Sequence, residues 1–296
     1  EYHQDVRGRR GEGMSDLTDI VEQIDLLEPI PAIATQILAK SEDPDSSMSE
    51  IADLIINDPA LTANLLKICN SAYFALPRKL ESVKDAVTWI GLDQIVEIVL
   101  TSSVSENFNK GLVGYGLGEG ELWRHAVTSA HVAKLLANRF GISQNKHLIY
   151  TAALLKDIGK LILGRFVAFS AEKINIMVHS QGYSFIDAEK NIIGMNHEEL
   201  GALVGEKWSF SKKLIYIIRH HHLTDESARQ DRETSLVYLA DIVCMLMGIC
   251  TGTDGLSYRF YSDVLRRIDV SEKDLEEIIA QTSEHRQKIE YLLKLF

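Results

Sequence analysis

Apolar residues recur along this chain at intervals of three and four. The strict alternation of a half-buried strand is nearly absent, so the pattern predicts helices throughout. Ile33, Ile37 and Leu38 form a first stripe. Ile51, Leu54 and Ile55 form a second, with Ser47 or Ser49 placed to cap it. The run Asp58-Pro59-Ala60-Leu61 reads as a helix start. An aspartate accepts from free first-turn amides, and proline suits a turn where no amide hydrogen is needed. Leu61, Leu65, Leu66 and Ile68 give that helix its apolar face, and it ends near Asn70-Ser71. Ala86 and Ile90 lead to a glycine stop at Gly91, and Asp93 is placed to cap a further helix carrying Ile95, Ile98 and Val99.

Residues 110–120, KGLVGYGLGEG, hold five glycines and predict a linker between two lobes, one that packs through Leu112, Tyr115 and Leu117. Beyond it, helices are expected over Leu122–Arg139, Lys146–Phe166, Phe169–Gln181, Ser184–Gly194, His197–Trp208, Ser211–His222, Ser235–Gly248 and Ser271–Leu295. The expected fold is all-α with two helical lobes. Its parts are a leader over 1–18, an N-terminal lobe over 19–109, the linker over 110–120, a second lobe over 121–250 and a C-terminal helical extension over 251–296. The extension is expected to close the core or to mediate a dimer. Residues 1–13, polar and glycine-rich ahead of Met14, are expected to be disordered.

With 46% hydrophobic residues the chain buries a sizeable core, and 296 residues suit either one large domain or two smaller lobes. No apolar run reaches the roughly 20 residues that span a bilayer, and the polar start offers no secretory signal. Both features lead to the expectation of a cytoplasmic protein without a membrane partner. The net charge of −11 repels a polyphosphate backbone and argues against bulk nucleic-acid binding, while leaving room for a small basic site. Cys69, Cys244 and Cys250 are odd in number and form no CxxC pair, so they read as buried reduced thiols.

Eight of the ten histidines lie between His125 and His222, and a subset of them shares a pattern with buried acids. Glu121 and His125 are four apart and share one helix face. Asp157 sits in Leu154-Leu155-Lys156-Asp157-Ile158-Gly159-Lys160, where a charge is expensive to bury without a partner. His197 begins a helix, His221-His222 end another, and Asp241 lies inside Tyr238-Leu239-Ala240-Asp241-Ile242-Val243. Imidazoles and carboxylates brought in by separate helices are how bundles build metal sites, and a mixed nitrogen and oxygen set suits Fe, Mn, Zn or Ni better than Ca or Mg. Plainer readings stand beside this one. Asp157 can pair with Lys160, His221 can complement helix carbonyls, Asp241 can cap or pair elsewhere, and His197 can be a first-turn residue only.

The order His125, Asp157, His197, His221-His222, Asp241 resembles the HD superfamily of metal-dependent phosphohydrolases. Leu27-Glu28-Pro29-Ile30-Pro31, Asp58-Pro59-Ala60-Leu61, Asn70-Ser71-Ala72-Tyr73 and Ala86 to Ile90-Gly91-Leu92 are similar to the first lobe of HDOD domains. Glu189 to Gly194 to His197, Gly201, Trp208 and the His221-His222 pair are similar to the second. The resemblance runs from about Asp19 to Gly248. It implies an all-helical fold whose C-terminal lobe is an HD-type bundle, and a role as an output or interaction module in bacterial signal transduction.

Two departures matter. Active HD enzymes carry histidine where this chain has Lys156, and Leu223-Thr224-Asp225-Glu226 lacks the glycine-tyrosine-proline signature of the HD-GYP phosphodiesterases. Glu121, His125, Asp157, His197, His221, His222 and Asp241 match metal-ligand positions of that branch, which implies one or two transition-metal ions. Three readings follow. In the first, a signalling module binds a protein partner, through the Tyr73-Phe74 region or the interlobe cleft, or holds a small anionic or nucleotide ligand on Lys156 and Lys160. The alternative is a working phosphodiesterase with Asp157 and Lys160 as its catalytic pair. In the third, Lys156 and Asp157 form a buried ion pair that replaces the metal's charge.

Overall fold

The computed structural model describes residues 17–43, 45–142, 146–255 and 259–295; the expected leader lies outside them up to residue 16. The fold is all-α, and among the described residues the one extended pairing is an isolated antiparallel bridge between Leu112 and Leu117. Among the described residues no single helix is long and apolar enough to cross a membrane.

The first lobe comprises α1 (Leu17–Glu22), α2 (Ala32–Glu42), α3 (Met48–Ile56), α4 (Pro59–Cys69), α5 (Val83–Ile90) and α6 (Leu92–Phe108). Leu17 and Thr18, assigned to the leader, thus already belong to a helix. The predicted caps form at α3 and α4: Ser47 and Glu50 exchange the two bonds of a capping box, and the Asp58 carboxylate accepts from the Leu61 amide at 3.0 Å. Asp93 does not cap α6. Gly91, at φ +91°, ends α5 and begins α6, and Asp93 instead pairs with Lys146 and His147. Asn70 clamps Leu80 through two side-chain hydrogen bonds of 2.8 and 2.7 Å, which holds the irregular segment after α4.

The second lobe follows with α7 (Glu121–Arg139), α8 (Lys146–Leu155), α9 (Lys160–Gln181), α10 (Phe185–Ile193), α11 (His197–Lys207), α12 (Lys212–His220) and α13 (Arg232–Leu246). The extension holds α14 (Ser262–Arg267), α15 (Glu272–Glu284) and α16 (Arg286–Leu293). One apolar core runs through both lobes: Ala34 and Leu38 of α2 and Leu100 and Val104 of α6 meet Leu154 and Leu155 of α8. Each such leucine contributes roughly 1.5–3 kcal/mol by its burial, so α8 binds the lobes together.

Two expected helices are each broken. The stretch from Lys146 to Phe166 is interrupted by a turn over residues 156–159, and α9 starts at Lys160 and absorbs the helix expected from Phe169. The cause is close packing. A β-carbon on Gly159 would stand 2.0 Å from the His197 carbonyl oxygen, so only glycine lets α11 approach this turn. The C-terminal stretch is likewise two helices, α15 and α16, meeting at His285. They lie along α7, held by Arg139 to Asp274 at 2.7 Å, His131 to His285 at 3.0 Å, and an Arg124–Glu290 ion pair. Tyr291 of α16 stacks on Tyr73 at 6.2 Å. Tyr73 is therefore engaged within the chain while staying half-buried.

The glycine-rich segment packs, as Leu112, Tyr115 and Leu117 predicted: all three are buried.

Candidate metal centre

Six of the seven predicted ligand residues come together in the second lobe. Asp157 lies in the turn between α8 and α9. His125 comes from α7, Asp241 from α13, His197 from the first position of α11, and His221-His222 from the residues just beyond α12. Asn196 sets the start of α11 through a capping box with Glu199, which fixes where His197 enters. Ligand atoms of Asp157, His197, His221 and His222 lie within 4.8 Å of one another, and so do those of His125, Asp157 and Asp241. Asp157 belongs to both groups. Glu121 belongs to neither: at the start of α7 its carboxylate turns back to accept from the Gly118 amide at 2.7 Å, closing the glycine-rich turn.

In the first group two of the three imidazoles are held from behind. His197 donates Nδ1–H to Glu189 at 2.8 Å, and its amide donates to the same carboxylate at 3.1 Å. Tyr115 donates its hydroxyl to the other Glu189 oxygen at 2.6 Å. His221 donates Nδ1–H to the Ile218 carbonyl at 2.8 Å. These bonds leave the Nε2 lone pairs of His197 and His221 facing Asp157 Oδ1, at 3.9 and 3.8 Å. His221 Nε2 is buried and makes no hydrogen bond. His222 Nε2 stands 3.1 Å from His197 Nε2. Burial drives the His221 imidazole down to about 3, and burial together with the neighbouring imidazoles drives His222 well below the usual range, so both rings are neutral near pH 7. Neutral, tautomer-fixed imidazoles converging on a carboxylate are what a transition metal requires, and the carboxylate behind His197 is its usual support.

The second group is filled from within. The Lys156 ammonium pairs with Asp157 and with Asp241 at 2.7 Å, and stands 3.1 Å from His125 Nε2. His125 also faces Asp241 at 2.8 Å, and its Nδ1 lies 3.0 Å from the Ile249 carbonyl. Lys156 and Asp157 are each 1% exposed. Burial alone would raise the Asp157 and Asp241 carboxyls, but the Lys156 ammonium, joined by Lys160 at Asp157 and by the His125 hydrogen bond at Asp241, outweighs it and holds both well below the usual carboxylate range. Burial likewise opposes the charge on Lys156, and the two carboxylates reverse it and raise its pKa.

Lys160, expected with Lys156 to hold an anion, is also matched by the chain. It pairs with Asp157 at 2.9 Å and with Asp254 at 2.7 Å, above the Tyr115 ring. Both lysines expected to hold an anion are thus paired with carboxylates of the chain.

Four residues of the centre were not singled out as site residues by sequence: Glu189, Glu198, Tyr115 and Asp254. Glu189 carried a signal, since it falls on the apolar stripe of α10 with Phe185, Ile186 and Ile193. Glu198, whose carboxylate accepts from the His222 amide at 2.7 Å, is pushed well above its usual range by burial. Asp254 follows the last helix of the lobe and had no periodic context.

The HDOD domain family model matches residues 27–224. An uncharacterised protein of Treponema pallidum (strain Nichols) is 27% identical over 211 residues, which covers 69% of this chain and 39% of that protein. The chain thus spans well under half the length of that relative. Among solved structures, an HDOD domain protein of unknown function from Geobacter sulfurreducens is 26% identical, with a TM-score of 0.70 over 95% of this chain and 99% of that one. A candidate signal transduction protein from Marinobacter aquaeolei VT8 gives a TM-score of 0.73 at 20% identity, over 95% of this chain and 61% of that one. A candidate phosphohydrolase from Shewanella amazonensis SB2B gives 0.67 at 20% identity, over 93% and 97%. At those two identities the likeness is one of fold. A match across two thirds of the sequence, on a helical frame that gathers the histidines and aspartates of an HD-type centre, places the chain in the HDOD domain family.

Proposed function

We propose that the chain is a signal-transduction module with a half-converted HD centre: one transition metal held by Asp157, His197, His221 and His222, and a lysine in place of the second. The observation that carries this reading is the Lys156 ammonium, lodged among His125, Asp157 and Asp241 where a second cation would otherwise sit. A three-histidine, one-carboxylate set suits Zn, Fe, Mn or Ni. Charge supports the reading: the ammoniums of Lys156 and Lys160 face the carboxylates of Asp157, Asp241 and Asp254, two against three, which favours a further cation.

A metal bound there would supply a fixed positive charge and Lewis acidity. The residues of the chain orient it. Glu189 and Ile218 hold two rings in their ligating tautomers, and the nearly complete burial of the site excludes water. Phosphodiester hydrolysis of the two-metal kind needs both positions, and Lys156 removes one. The module therefore works by binding and shape.

Elemental analysis of protein purified without chelator tests this. The expected result is about one transition metal per chain, lost in His197→Ala and His221→Ala, and a second equivalent gained in Lys156→His. No turnover of a cyclic dinucleotide is expected with added Mn or Fe. Two metals in the unaltered chain, none at all, or turnover abolished by Asp157→Ala would each overturn the proposal.

A further inference from the structure

The three most exposed large apolar side chains among the described residues are Val113 at 87%, Phe169 at 86% and Leu26 at 76%. Two of them, far apart in sequence, edge one groove of about 490 Å³ between the two lobes, and the third, Phe169, follows Ala168 of its lining. Leu26 and Val113 line it, and Phe169 extends the α9 face on which Leu161, Arg165 and Ala168 line it. A lone exposed apolar residue is ordinary, but a cluster around a concavity marks a binding surface.

Charge specifies the partner. The groove is lined by Lys110 and Arg165 and by no carboxylate, in a chain with 42 acidic residues and a net charge of −11. Neither Lys110 nor Arg165 forms an ion pair among the described residues. The site of highest apolar exposure is thus also a basic island on an acidic molecule. Strand addition is ruled out as the mode of capture, because the Leu112–Leu117 bridge beside the groove is buried and already paired.

We propose that this interlobe groove receives the amphipathic helix of a partner protein, its apolar face on Leu26, Val113 and Phe169 and its acidic flank on Lys110 and Arg165. The proposal gives the signalling reading a partner class and rests on it for the purpose of the contact. The groove has a short mechanical path to the metal centre. A β-carbon on Gly114 would stand 2.1 Å from the Gly164 carbonyl oxygen, so the turn lies flush on α9. The next residue, Tyr115, donates to Glu189, which holds His197. Pressure on Val113 is therefore applied two residues from the tyrosine whose hydroxyl supports a ligand.

Selection from a displayed library of randomised helical peptides against the full chain tests the proposal. Enriched sequences are expected to carry apolar residues at helical spacing with flanking glutamate or aspartate. Their affinity should fall roughly tenfold or more in Phe169→Asp and in Val113→Asp, and should fall in Arg165→Glu. Circular dichroism and the metal content of each variant are measured alongside. The exposed Arg165→Glu change keeps the test informative if an apolar replacement unfolds the chain. Absence of enrichment, neutral or basic winners, or binding indifferent to all three substitutions would overturn it. So would a dimer in sedimentation that Phe169→Asp dissociates, since a second copy would then cover the groove. Groove binding without any bound metal would sink the metal proposal alone.

Discussion

The carboxylate of Asp254 lies 2.7 Å from the ammonium of Lys160, 94 residues away, with both side chains buried. The segment that carries Asp254 is tied down beside it, because the Thr253 amide donates to the Tyr115 carbonyl at 2.8 Å. The chain thus supplies its own oxyanion to a lysine that could hold a phosphate. Asp254→Asn is expected to leave that ammonium with Asp157 as its remaining carboxylate partner and so to open it to an added anion. Inorganic phosphate should then raise the melting temperature of the variant and leave the unaltered protein unchanged. Equal phosphate responses in both would refute the self-occupied lysine.

Removing one member of a buried ion cluster strands the others. Lys156→Ala leaves Asp157 and Asp241 facing each other across His125, and a loss of about 3–5 kcal/mol in denaturant unfolding is expected. Added Zn or Mn should restore part of it by taking the vacated position. An unchanged midpoint would show that the ammonium does not balance the acids.

Tyr115→Phe deletes one hydroxyl and keeps the ring. Glu189 then loses its 2.6 Å donor and holds His197 less firmly. Metal affinity, read by competition with a chromogenic chelator, should fall about tenfold, at the lower end of outer-shell effects. Affinity unchanged within error would detach Tyr115 from the centre.

Acid should loosen the C-terminal helices. His131, packed against His285, is lowered to about 4, first by burial and then by that neighbour, so it stays neutral when folded. The unfolded chain binds the proton from about pH 6.5 downward, so this contribution is complete above 6.5 and is lost as pH falls towards 4. The loss is on the order of 3 kcal/mol. Melting curves of His131→Leu should decline less steeply over that range than those of the unaltered chain, and parallel declines would count against it.

Much of this was legible in the sequence, for identifiable reasons. Acids inside apolar runs, as at Asp157 and Asp241, must find partners, and they did. The caps at Ser47 and Asp58 act locally and formed as read. What failed depended on distant contacts. The break at Lys156 is imposed by α11 through Gly159, and nothing in the local periodicity records it. Glu121 shares a helix face with His125 but was claimed by the turn before it. Charge matching hid the rest: Lys156 and Lys160 read as an anion seat because their partners, Asp241 and Asp254, lie far along the chain.

The glycine-rich turn has one more implication. It joins the lobes and also carries the tyrosine behind a ligating ring, so the chain has no neutral place to be divided there. An insertion or a protease nick at Val113 would reach the chemistry as well as the connection, because the half-chain that keeps every ligand would then carry Tyr115 beside its cut end.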